Sequence, residues 1–105
     1  MKQMMELDQK EFTRWVEDHP PLKALGISHS ACDCPIARYL WETRQAHFYV
    51  YPDHCRDGGH ASYELPAWAT GFIMRIDGGL TKCRRSIFQD EALCALKLLS
   101  KESDG

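Results

Sequence analysis

The stretch HSACDCP, from His29 to Pro35, packs two thiols and an imidazole into one short run and follows them with a proline. Thiolate and imidazole are the ligands that zinc prefers, usually four of them in a tetrahedron. The sequence offers a second group to complete such a set: His54, Cys55 and His60. A zinc reading therefore draws on His29, Cys32, Cys34, His54, Cys55 and His60. The spacing fits poorly. Structural zinc knuckles separate paired ligands by two to four residues, and Cys32-x-Cys34 is shorter. Zinc is thus the one cofactor the sequence raises, and the default is none.

The same stretch permits a second chemistry. Pro35 suits the first position of a helix, where its missing N–H costs nothing. That register makes Cys34 the N-cap. A thiol there meets the positive end of the helix dipole and free N–H groups, both of which favour thiolate. Cys34 would then be a reactive thiol with Cys32 as its resolving partner. The adjacent negative charge of Asp33 opposes this. The plainest alternative is that Cys34 only caps the helix, and the sequence favours it.

Two further groups could bind a partner. Arg75, Lys82, Arg84 and Arg85 place cations around the start of the last helix, where they oppose its dipole and invite an anion: a phosphate, a nucleic-acid backbone or an acidic protein surface. Asp77 and Asp90 lie close enough in sequence to neutralise them instead. His47, Tyr49 and Tyr51 alternate along one strand and share a face, which would stack bases or dock a protein. The three tryptophans are expected in the core.

Composition narrows these options. In 105 residues, 44% are hydrophobic and 27% charged, which describes one modest globular domain. The formal charge of -2 lacks the basic excess of a general polyanion binder. Five cysteines, an odd number, with no apolar leader suggest reduced thiols and a cytoplasmic setting. No run is long enough to span a membrane, so no membrane partner is expected. Glycine-rich phosphate loops, paired-carboxylate sites and serine elbows are absent, and the expectation leans to a non-enzymatic chain.

The elements that must position these residues follow from periodicity. Asp8 and Glu11 form a capping box for a helix whose inner face is Phe12, Trp15 and Val16, stopped by Pro20-Pro21. Pro21 to Gly26 adds a further helical turn, closed by Gly26 in a left-handed conformation. A second helix runs from Pro35 to about Arg44 on Ile36, Tyr39 and Leu40, with Arg38 and Glu42 as an outer ion pair. Ala46 to Pro52 reads as one strand and Ala61 to Leu65 as another, joined by a turn at Asp57-Gly58-Gly59. Pro66 opens a third helix. Gly71 inside it points to close packing. Ser86 and Gln89 cap a fourth, whose stripe of Phe88, Ala92, Ala95, Leu96 and Leu99 is widened by Ile87, Cys94 and Leu98. The expected fold is α+β: four helices packed on a two-stranded antiparallel hairpin, in the order α-α-β-β-α-α, with fraying at 1–5 and 100–105. Its expected role is binding a protein partner or forming a homo-oligomer. The alternatives are a zinc or thiol protein and a nucleic-acid accessory.

Overall fold

The computed structural model of the chain describes residues 3–58, 61–78 and 84–103. Among the described residues there are four helices: α1 (Gln9–Glu17), α2 (Pro35–Arg44), α3 (Ala67–Asp77) and α4 (Gln89–Ser103). The described residues also form six short strands: β1 (Gln3–Met4), β2 (Gly26–Ile27), β3 (Phe48–Val50), β4 (His54–Asp57), β5 (Ser62–Glu64) and β6 (Ser86–Ile87). The α+β class holds. The two-stranded hairpin does not: β1, β5, β4 and β3 form a four-stranded sheet in that order, and β2 pairs with β6 in a separate ribbon.

The hairpin fails because the segment expected to be its loop is itself a strand. β4 pairs antiparallel with β3 on one side and β5 on the other, aligning Tyr49 with Arg56 and Arg56 with Ser62. A tight turn at Tyr51 to His54, closed by the Tyr51 N–H on the His54 carbonyl at 2.8 Å, makes room for it. Gly58, the described glycine of the expected turn, therefore follows β4. Gln3 and Met4 then lie parallel to β5, and the Met5 N–H bonds the Glu64 carbonyl at 2.8 Å. Neither side of the expected pair is a bare edge. β1 covers β5, and at β3 the Val50 N–H goes to the Ala31 carbonyl at 2.7 Å.

Three local expectations also change. Pro21 to Gly26 forms no helical turn: the chain turns at Pro21 and Leu22, and Gly26 lies in β2. Its requirement is room, since a Cβ there would sit 2.5 Å from Pro35 N and 2.6 Å from Asp33 O. Ser86 belongs to β6 and cannot cap α4, which starts at Gln89. Arg38 turns to Asp33, 3.9 Å away, where Glu42 was expected to receive it.

The core centres on Phe12, fully buried and in ring contact with Trp15, Tyr39, Trp68 and Phe72. Thus α1, α2 and α3 meet at one side chain. Ile36, Leu40, Ile76 and Ile87 extend the same cluster. Gly71 lets α3 approach α4, for a Cβ there would meet Leu99 Cδ2 at 2.6 Å. Of the expected α4 stripe, Ala92, Ala95, Leu96 and Leu99 are buried, whereas Cys94, Leu98 and Phe88 are exposed. Trp41 also stays about half exposed, contrary to the expectation of burial.

Candidate interaction face

Alternation along the strands sorts the sheet into two faces. Val50, Cys55 and Leu65 are buried, and Phe48 and Tyr63 pack partly against the core, so this set looks inward. Tyr49, Arg56 and Ser62 must then look outward as one cross-strand row. His54 and Glu64, also register partners, form the next row, and β1 adds Met4 opposite Glu64.

The outward face is rich in large side chains. Met4 is 53% exposed, Tyr49 48% and Tyr51 37%. Tyr51 stacks on the His54 ring at 4.8 Å, and His54 Nδ1 lies 2.6 Å from an Asp53 carboxylate oxygen. Tyr49, Tyr51 and Arg56 line a shallow cleft of about 330 Å³ that also touches Asp57 and Gly58. Among the described residues, neither the Arg56 guanidinium nor the Glu64 carboxylate makes an ion pair or a side-chain hydrogen bond. Asp57, by contrast, is engaged: it accepts from the Ala61 N–H at 2.9 Å and from the Tyr63 hydroxyl at 3.3 Å. The carboxylate beside it raises the Tyr63 hydroxyl above its ordinary range, with burial adding to the effect.

His47 was expected on this face with Tyr49 and Tyr51. It lies just before β3, and its ring stacks on Trp41 at 4.1 Å. The pair borders a separate cleft of about 340 Å³ whose wall includes Cys32, Arg38 and Glu42.

The expected metal ligands are dispersed. His54 and Cys55 are neighbours on β4, so the pleat sends the imidazole outward and the thiol into the core. His29 holds a left-handed backbone (φ 56°) with its N–H on an Asp77 carboxylate oxygen at 2.9 Å. Cys34 is buried while Cys32 is exposed. His60 lies outside the described residues. Among those described, no three His, Cys, Asp or Glu side chains are grouped to hold a metal ion.

Cys34 occupies the N-cap of α2, and its sulfur accepts the Ala37 N–H at 3.4 Å. Burial pushes this thiol up to about 11, outweighing the bonds from Ala37 and Ile36 that lower it; Asp77 adds to the rise. Burial does the same to Cys55, also about 11. Both stay protonated at neutral pH, opposite to what an activated thiol requires.

The basic group is also divided. Arg85 forms a two-pronged ion pair with Glu91 and donates to the Ile76 carbonyl at 3.1 Å, sealing the end of α3. Its backbone bonds Ser28, both through the Ser28 hydroxyl at 3.1 Å and through the Ser28 N–H at 2.9 Å. Arg84 is exposed, Arg75 is half-buried on α3, and Lys82 lies outside the described residues. Met4, Arg56 and Glu64 were not anticipated from sequence. The period of two in His54-Cys55-Arg56-Asp57 carries the signal for Arg56, hidden by the turn glycines that follow.

No protein-family model matches the chain, and no curated protein and no solved structure matches it. Among the described residues, no helix is long and apolar enough to cross a membrane.

Proposed function

We propose that this chain acts by binding another protein, and that the outward sheet face is where it binds. One observation carries the reading: Met4, Tyr49 and Arg56 stand exposed on one face of the four-stranded sheet, with Tyr51 exposed in the turn after β3. Methionine, tyrosine and arginine are the residue types enriched in protein interfaces, and tyrosine and arginine dominate their energetic centres. Charge favours protein over nucleic acid as the partner. Arg56 is offset by Glu64, and Asp53 adds a further carboxylate at its border, so the face lacks the cationic excess that phosphate binding uses. The zinc and thiol alternative draws less support, because its described residues are split between the core (Cys34, Cys55), the outer sheet face (His54) and the loop before α2 (His29, Cys32).

Affinity capture with the full chain, followed by titration of each captured protein in purified form, tests this. Replacing Tyr49 and Tyr51 together with alanine should weaken binding at least about tenfold, since interface anchors of this type each contribute over about 1 kcal/mol. Unchanged affinity in the double variant overturns the reading.

A further inference from the structure

Arg56 and Glu64 are diagonal neighbours on adjacent strands of the open face, exposed, of opposite charge, and without an ion pair to each other or to any described residue. From this we infer that the partner of the face is a second copy of this chain, packed sheet against sheet about a two-fold axis between these residues. The inference rests on the docking role proposed for the face and names its occupant.

A two-fold interface is self-complementary: whatever residue i meets on the partner, that residue meets i in return. An axis lying in the interface plane and bisecting the Arg56–Glu64 diagonal sets Arg56 of each copy opposite Glu64 of the other. Two ion pairs form between groups that have none with the described residues of their own chain. Apolar side chains border both, since Tyr49 is the register partner of Arg56 and Met4 that of Glu64. Such neighbours exclude water and raise the value of the charge contacts they surround. Strand addition at an edge is the other usual route to association between sheets. Here β3 is three residues long with its Val50 N–H already committed to Ala31, and β1 at the other edge has two residues, so both edges of this sheet are short templates.

Sedimentation velocity on the full chain, across micromolar concentrations, reads the outcome. The wild type should sediment as a dimer. Arg56→Glu and Glu64→Arg should each shift it toward monomer by at least about tenfold in dissociation constant, because like charges then oppose each other at both pairs. The double reversal in one chain should restore the dimer. Far-ultraviolet dichroism checks that each variant is folded, and Arg56→Gln replaces any reversal that is not. A monomeric wild type, a dimer indifferent to both single reversals, or a double reversal no better than the singles overturns the inference. A monomeric wild type whose purified heterologous partner is lost with the Tyr49 and Tyr51 variant removes the second copy and leaves the docking role intact.

Discussion

Cys34 accepts the backbone N–H of Ala37 through its sulfur at 3.4 Å, and so closes the first turn of α2 with a thiol where serine, threonine or aspartate is usual. The cap and the burial act together. The side chain is 4% exposed, so it fills core volume as well as satisfying an orphan donor.

Replacing Cys34 separates those roles. Cys34→Ala removes the acceptor and leaves a small void, and should cost about 1–2 kcal/mol. Cys34→Ser retains an acceptor and should cost less than alanine. Urea unfolding of the three proteins gives the order. Equal losses for serine and alanine would mean that packing alone matters and the cap contributes nothing.

Burial of the same thiol makes stability depend on alkaline pH. The folded value of about 11 lies above the ordinary 9.0. As pH rises past 9, the unfolded chain gives up its thiol proton while the native state keeps it. The native state then binds more protons, so stability falls between about 9 and 11 and is unaffected at neutral pH. For Cys34 the loss across that interval is on the order of 2–3 kcal/mol. Melting curves of wild type and Cys34→Ser should converge as pH rises, since the serine variant has one fewer titrating group. Parallel curves would show that the site is more hydrated than its packing suggests. In the same range, alkylation should label Cys32 and Cys94, both exposed, well before Cys34 and Cys55.

Two glycines invite contrasting substitutions. At Gly26 an added Cβ meets the backbone of Asp33 to Pro35, which cannot move without breaking the start of α2 and the Ile27 N–H bond to the Asp33 carbonyl at 2.8 Å. Gly26→Ala should lower stability by about 3 kcal/mol or abolish folding. At Gly71 the added Cβ meets the tip of the Leu99 side chain, which can rotate away. There the gain in helix propensity, about 1 kcal/mol, offsets the repacking. Gly71→Ala should therefore stay within about 1 kcal/mol of wild type. Thermal melts that rank the two the other way would refute the close approach assigned to Gly26.

Helices were legible in the sequence and the sheet was not, for a physical reason. A helix repeats its buried face over several turns, so Phe12 and Val16, or Ala92, Ala95, Leu96 and Leu99, announce themselves. Strands of two to four residues carry one or two inward positions each. β4 has only Cys55 fully buried, and its remaining residues are polar and precede turn glycines, so it resembles a loop. β1 pairs with a strand about sixty residues away and owes nothing to local pattern. The candidate face was half legible. Tyr49 and Tyr51 stand in a recognisable alternating run, whereas Met4, Arg56 and Glu64 join them only through pairings that no local signal encodes. The basic group shows the reverse error, in which charges close in sequence are divided by the fold.

That division yields a last expectation, and it reverses the view that Arg84 and Arg85 are equivalent surface cations. Arg85 bridges three elements: its guanidinium holds Glu91 of α4 and the Ile76 carbonyl of α3, while its backbone pairs with Ser28 beside β2. The Glu91 contact also makes its proton harder to remove than in a free arginine. Arg85→Ala leaves an orphan helix carbonyl and a lone carboxylate, and should cost about 1–2 kcal/mol. Arg84→Ala should change stability by less than about 0.5 kcal/mol, as exposed substitutions usually do. Added salt screens the exposed ion pair but not the bond to Ile76, so the gap between the two variants should narrow without closing. Equal, small shifts in urea midpoint would show that Arg85 is not committed to the fold and would return it to the solvent as a free anion-binding group.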